Sequence, residues 1–313
     1  MQEEIFVSGR HIPNIDPYLQ IWHWPISVYL FLGGLAAGIL FFAALLTALN
    51  KDKEYPATVK WASLVPPVAL TLGLIALFYD LTNKFYFWRL YTTVRIESPM
   101  SWGAWVLLII TPLSFLWVFS YYSELFPKWK LKHKYLVKFE KTLKENRKLM
   151  AYALIPLSII LGVYTGILLS AFNARPLWNN AILGPLFLVS GLSTGAATII
   201  LLAKTAKEKH LFSKIDLGLI IVEIGLIIHM LMGMHAGSQV QLEAMELLIG
   251  GDFTLMFFGF VVVLGLIVPA TMEYFELRGY KIPVAIPAIL VLIGGLVFRF
   301  VMVEAGQITR YLY

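Results

Sequence analysis

Eight separate stretches of about twenty apolar residues, joined by short polar links, leave this chain little option but to lie across a lipid bilayer. They run Pro25 to Leu49, Trp61 to Tyr79, Trp102 to Tyr122, Ala151 to Phe172, Ala181 to Ala203, Ile215 to His235, Phe253 to Met272 and Ile282 to Val303. Inside hydrocarbon every backbone amide must be hydrogen-bonded within its own segment, so helices are expected; transmembrane strands of about ten residues fit these lengths poorly. With 59% hydrophobic and 14% charged residues among 313, and a mean hydropathy of +0.75, the chain has too little polar surface to coat a water-soluble globule. The expected fold class is all-α: a polytopic membrane protein of eight transmembrane helices.

Basic residues near span ends are retained on the cytoplasmic side. The first, third, fifth and seventh loops hold 18 of the 25 Lys and Arg residues, half of them between Lys128 and Lys148. Those loops are read as cytoplasmic and both termini as extracytoplasmic, in a bacterial cytoplasmic (inner) membrane. The net charge of +6 then reflects topology, and no nucleic-acid partner is needed to explain it. The Lys128–Lys148 stretch reads as a solvated segment that meets anionic lipid and carries no chemistry. Residues 1–24 contain Glu3, Glu4 and Asp16 where a cleavable leader would be basic, so no cleavage is expected. Cysteine is absent, which excludes disulfides, cysteine-ligated iron–sulfur clusters and thioether-linked haem within this chain.

The first and fifth spans share a short motif in register: Gly34-Leu35-Ala36-Ala37-Gly38 against Gly191-Leu192-Ser193-Thr194-Gly195. Small residues at this spacing let helices approach closely, and packing is the ordinary reason for them. An offset of four spans points both copies the same way and predicts two four-helix bundles, 25–172 and 173–303, related by an axis along the membrane normal, with flanking segments 1–24 and 304–313. Trp and Tyr near span ends, such as Trp22, Trp24, Trp61 and Trp102, read mostly as interfacial anchors. Two extracytoplasmic loops are substantial: Asp80 to Ser101, and Ala236 to Asp252 with its amphipathic run Gln239 to Ile249. Each is either an interfacial segment or the seat of a partner.

Ionisable residues inside spans are costly and invite a functional hypothesis. Glu223 falls roughly 13 Å along the sixth span at 1.5 Å per residue, near the bilayer middle. It is read either as a proton-path residue, with His229 further along the same span, or as a pin that holds two helices together through Ser193 or Thr194. Arg299, near the extracytoplasmic end of the eighth span, is expected either to pair with Asp80 or Glu304, or to join Asp80, His23 and Tyr164 around a pocket for a polar headgroup. The lysine-side halves of the other spans are almost wholly apolar, so no continuous polar wire is expected. Only His23, His229 and His235 lie in or beside spans, too few for a di-haem cytochrome. His229 and His235, six residues apart, are some 240° apart around one helix and cannot share one iron. Soluble nucleotide motifs, zinc motifs and nucleophile elbows are absent.

The run Trp24-Pro25-Ile26-Ser27-Val28-Tyr29-Leu30-Phe31-Leu32-Gly33-Gly34-Leu35-Ala36-Ala37-Gly38 resembles the opening span of the NrfD/polysulfide reductase membrane-subunit family. The resemblance continues at Glu97-Ser98-Pro99-Met100-Ser101-Trp102-Gly103, Tyr164-Thr165-Gly166 and Pro176-Leu177-Trp178-Asn179. It implies a quinone-interacting anchor with no haem or iron–sulfur cluster of its own, bound on its outer face to a four-cluster iron–sulfur subunit. Through that subunit it implies a molybdopterin or multihaem catalytic partner. By resemblance the quinone, of menaquinone type, sits at the outer end of the first bundle, near His23, Tyr164 and Asp80, with Asn14 or Gln20 as the polar residue before the first span. The likeness extends to membrane subunits of alternative complex III, in which quinol oxidation is linked to proton movement, and this keeps Glu223 in view. The expected function is electron exchange between menaquinone or menaquinol and an extracytoplasmic iron–sulfur subunit. A proton or solute transporter, a haem-bearing subunit and a purely structural anchor are the rivals.

Overall fold

The computed structural model describes residues 22–129 and 131–310. Eight of its helices are long and apolar enough to cross a membrane: α1 (Trp24–Ala48), α2 (Ala57–Asp80), α3 (Pro99–Phe119), α4 (Arg147–Ser170), α5 (Leu183–Leu202), α6 (Ala206–His235), α7 (Leu255–Leu277) and α8 (Ala285–Ile308). No strand occurs among the described residues. Asn14, Glu3, Glu4 and Asp16 lie outside them, as does most of the 1–24 segment.

Local chemistry sets several of the helix ends. Pro25 and Pro99 occupy first-turn positions behind the extended residues His23 and Ser98, where a missing N–H costs nothing. Glu208, in the first turn of α6, is fully buried and accepts hydrogen bonds from Thr58 N (2.8 Å) and Thr58 Oγ1 (2.7 Å) at the start of α2. A carboxylate there meets unpaired amides and the positive end of the helix dipole. The start of α2 is irregular, with wider and then tighter turns over Ala57–Leu64, ahead of Pro66 and Pro67, whose nitrogens cannot donate to the turn before them.

Several helices outrun their apolar windows. α6 begins at Ala206 rather than near Ile215, α4 at Arg147 rather than Ala151, and α7 continues to Leu277 rather than stopping at Met272. Hydropathy detects only the part of a helix that lies in lipid, whereas backbone hydrogen bonding carries it on into the polar region. The amphipathic run in the 236–252 loop is a helix over Gln239–Ile249, started by a capping box between Ser238 and Gln241.

α1 is the central helix and packs against α2, α4, α5 and α8; α5 in turn packs against α4, α6 and α8. α1 and α5 cross at the repeated motif itself. A methyl added at Gly38 would overlap the Gly191 carbonyl, and one added at Gly195 would lie 2.7 Å from the Gly38 carbonyl carbon. Backbone therefore meets backbone, as small residues permit in lipid.

The helix ends define two faces, a lysine-rich one and one bearing His23 and Asp80. On the lysine-rich face the helix Lys134–Glu145 is tethered by Glu140, which accepts from Ser123 N (2.7 Å) and Ser123 Oγ (2.6 Å). Beside it Glu124 binds Lys60 (2.6 Å), Arg147 (2.9 Å) and Lys144 (3.2 Å). Partial burial works to raise the Glu124 carboxyl, but these three cations outweigh it and hold it down at about 2. Arg147 also stacks on the Tyr121 ring, 3.4 Å from its centroid.

Candidate functional site

On the His23 face, α1, α2, α3 and α4 enclose a cavity of about 270 Å³. Its floor and walls are apolar residues such as Ile26, Leu77, Leu107 and Leu168, and the loop after α2 roofs it with Leu81, Leu90 and Tyr91. Polar residues in the lining include Asp80, Thr82, Tyr29, Tyr91 and Tyr164. Such a mixture, mostly apolar with a few convergent polar groups, suits a small organic ring.

Tyr29 on α1 is 2% exposed. The neighbouring Tyr164 hydroxyl on α4 approaches it. The ring of Tyr164 is seated over Gly103 of α3, where any added methyl would overlap it. Asp80, the last residue of α2, lies 3.1 Å from Nδ1 of His23. His23 itself is exposed and does not line the cavity; its contact with the cavity runs through Asp80. Burial raises the Tyr91 phenol above its ordinary value. Tyr164 is also part of the wall of a second, apolar groove of about 500 Å³ between α3 and α4, lined by Trp102, Ile160, Val163 and Ile167 among others.

His23, Asp80 and Tyr164 thus come together, and Arg299 does not join them. Its side chain is fully buried on α8, where Nη1 donates to Ser190 Oγ (2.5 Å) and the Gly295 carbonyl (3.2 Å), and Nη2 to the Phe187 carbonyl (3.3 Å). The expected pairing with Asp80 or Glu304 is therefore corrected: Glu304 is exposed, and Asp80 is taken by His23. Arg299 lies about two and a half turns before the end of α8 at Ile308, and its contacts with α5 turn it inward.

Glu223 on α6 is buried beside Ser190 and Arg299. Its helix-to-helix partner is Ser190, in place of the expected Ser193 or Thr194. Ser193 instead donates to Asp216 Oδ1 at 2.5 Å, and the Thr194 hydroxyl is bonded to carbonyls of its own helix at Ser190 and Gly191. His229 faces outward from α6 and is exposed, away from Glu223. Asp216 and, on α7, Glu273 are buried and meet each other. The lysine-side half of the protein is therefore less apolar than its hydropathy suggests.

Four of these residues carry little signal in the sequence. Asp216 lies one residue inside one apolar window and Glu273 one residue outside another, so both read as loop-edge groups until the helices extend past them. Tyr29 sits a turn and a half inward from His23, too deep for an interfacial anchor, and that depth is the available signal. Tyr91 has none, since its loop shows no periodicity.

Comparisons with known proteins agree along nearly the whole sequence. The family model described as "Polysulphide reductase, NrfD" matches residues 13–310. Protein NrfD of Escherichia coli K12 is 31% identical over 310 residues, covering 92% of this protein and 96% of that one. The C subunit of polysulfide reductase from Wolinella succinogenes is 30% identical over 302 residues, covering 92% and 94%. The NrfD homolog of Haemophilus influenzae is 29% identical over 315 residues, covering 96% and 97%. With a family model spanning the sequence and eight membrane-length helices beneath it, this protein belongs to the polysulphide reductase NrfD family.

Proposed function

We propose that this protein is the quinone-reactive membrane anchor of a respiratory oxidoreductase, and that the α1–α4 cavity receives the headgroup of a menaquinol-type quinone. The observation that carries this reading is the pair of neighbouring phenols, Tyr29 and Tyr164, set with Asp80 in the wall of an otherwise mostly apolar cavity. A flat bicyclic ring with two oxygens would offer hydrogen-bond partners to these groups. At about 270 Å³ the cavity has room for a headgroup and not for a polyprenyl tail, which the apolar α3–α4 groove behind Tyr164 would take.

Quinol oxidation delivers two electrons and two protons. In this reading Tyr29 and Tyr164 orient one oxygen of the ring. Asp80 accepts the two protons one after the other, and His23, hydrogen-bonded to it and exposed, passes each to the aqueous side. The electrons leave to an iron–sulfur subunit of four clusters docked on the His23 face, against the loops 80–101 and 236–252. That face is extracytoplasmic in this proposal, and the two four-helix groups α1–α4 and α5–α8 correspond to the repeated motif. A molybdopterin or multihaem subunit beyond it would meet the terminal substrate. Glu223, with Ser193 and Thr194 on the helix facing it, is kept as the proton-path candidate of the second half; His229, being exposed, is given no part.

The deciding experiment follows quinol oxidation by the purified complex while monitoring iron–sulfur reduction, in the parent protein and in Tyr164→Phe and Tyr29→Phe. Slowed cluster reduction in a fully assembled complex supports the pocket. Unchanged rates in both variants would leave the protein a structural anchor.

A further inference from the structure

We propose that the helix Lys134–Glu145 is a lipid-surface element: its apolar side sinks into the headgroup boundary of the bilayer, and the lysines of this segment bind the phosphates of anionic phospholipid. The contact is made on the lysine-rich face, away from the α1–α4 cavity, and it stands whether or not that cavity takes quinol.

At about 3.6 residues per turn, Tyr135, Leu136, Phe139 and Leu143 fall on one side of this helix, while Lys134, Lys138 and Lys141 fall roughly opposite. Tyr135 is 87% exposed, and Leu136 and Phe139 are also left uncovered by the protein. Val137, the other exposed apolar residue of the helix, lies outside this strip. The strip is turned toward the membrane edge, because the Phe139 ring packs on Phe119, the last residue of α3, with centroids 5.7 Å apart. An aromatic surface runs on from Phe119 through Tyr122 and Phe126 to Trp129, in ring contacts of 5.8, 5.5 and 6.4 Å. Trp129 at its end is 72% exposed. Glu140 holds the helix in this attitude through its two bonds to Ser123.

Two observations name lipid as the occupant. The first is continuity: Phe115, one turn before Phe119, is exposed on the outer side of a membrane-spanning helix, so the leaflet that surrounds α3 also reaches the strip. Tyr, Trp and Phe rings beside a polar edge favour that headgroup level. The second is charge. Lys141 and Lys144 are engaged by Glu145 (4.0 Å) and Glu124 (3.2 Å), but Lys128, Lys132, Lys134 and Lys138 enter none of the salt bridges among the described residues. Glu140 is buried against Ser123 and offers them nothing. Lysines that the protein leaves unmatched complement the negative surface of a leaflet rich in anionic lipid. Their long stems let the ammonium groups reach the phosphate plane while the strip beside them lies deeper. The stretch that reads as solvated in the sequence is therefore solvated on one side only.

The chain has no cysteine, so one introduced cysteine carries the only nitroxide in the full-length protein. Spin-labelled Tyr135→Cys and Lys141→Cys are compared in vesicles of phosphatidylcholine mixed with phosphatidylglycerol. At position 135 collision with dissolved oxygen should exceed collision with a water-soluble nickel chelate, and at position 141 the order should reverse. In the cysteine-free protein, spin-labelled phosphatidylglycerol should be immobilised in preference to phosphatidylcholine. Combining Lys132→Gln, Lys134→Gln and Lys138→Gln should lower that preference by about fivefold or more, the contribution of one such lysine at an anionic surface. Molar salt, which needs no variant, should erase the preference and leave the label at position 135 in the bilayer. Equal nickel exposure at the two positions means a helix solvated all round and overturns the proposal. So does a phosphatidylglycerol preference that survives both the triple variant and molar salt. A label at position 135 that is wet in vesicles and shielded only in the assembled complex gives the strip to a partner subunit, and sinks the proposal equally.

Discussion

Nδ1 of His23 lies 3.1 Å from Oδ1 of Asp80, joining the residue that precedes the first membrane helix to the last residue of the second. The two differ sharply in their surroundings: the Asp80 side chain is 10% exposed and His23 58%. The pair thus leads from the cavity wall to open solvent. Asp80→Asn keeps the shape and removes the carboxylate, so quinol oxidation should drop roughly tenfold or more with assembly intact. Stopped-flow cluster reduction measures this directly; a rate equal to the parent's would deny the pair its role.

The two phenols should act together. Tyr29→Phe and Tyr164→Phe each remove one hydroxyl from the same neighbourhood, and the double variant should lose less than the sum of the single losses, since contacting groups are not additive. A double-mutant cycle on quinol affinity gives the coupling, and strict additivity would place the two hydroxyls in separate roles.

Gly103 is a seat, and its replacement should act through its neighbour. Gly103→Ala pushes a methyl into the Tyr164 ring. Overpacking of this kind costs about 1–3 kcal/mol. Thermal unfolding in detergent should register a lower midpoint, and quinol oxidation should fall as it does in Tyr164→Phe. Loss of stability with full activity would show that Tyr164 can move without consequence.

Acid sensitivity should trace partly to Glu124. Its folded value near 2 lies below the ordinary glutamate value, so the ion cluster contributes stability that is fully present above about 4.5 and is lost as pH falls toward 2. The contribution is about 1–2 kcal/mol once solvent screening of a partly exposed group is allowed for. Glu124→Gln should unfold at lower temperature than the parent at neutral pH, and the gap should close on acidification to about pH 2–3. A gap that stays constant with pH would assign the loss to packing.

How much of this could be read from the sequence differs from one residue to the next. The eight helices are visible because lipid demands long apolar windows, and the Gly34 and Gly191 motifs mark a close crossing because little else explains paired small residues at one offset. His23, Asp80 and Tyr164 could be grouped because each is a polar residue near the same membrane edge. Arg299 could not be placed, since its depth is legible along the helix while its direction around the axis depends on what α5 presents to it. Asp216 and Glu273 hide at the borders of their windows, where a carboxylate looks like the start of a loop. Tyr29 is masked by its residue type, because tyrosines in membrane proteins are so often anchors.

The crossing of α1 and α5 also bears on how the molecule moves. Where two helices touch through glycine backbone, there are no side chains to slide or re-pack, so the joint behaves like a pinned axle. Whatever swings during turnover must come from helices mounted around that axle. Tilt or rotation of α3, α6 or α7 in the bilayer can then reach the interior, and stiffening or thinning of the surrounding lipid becomes a way to set the pace of the protein.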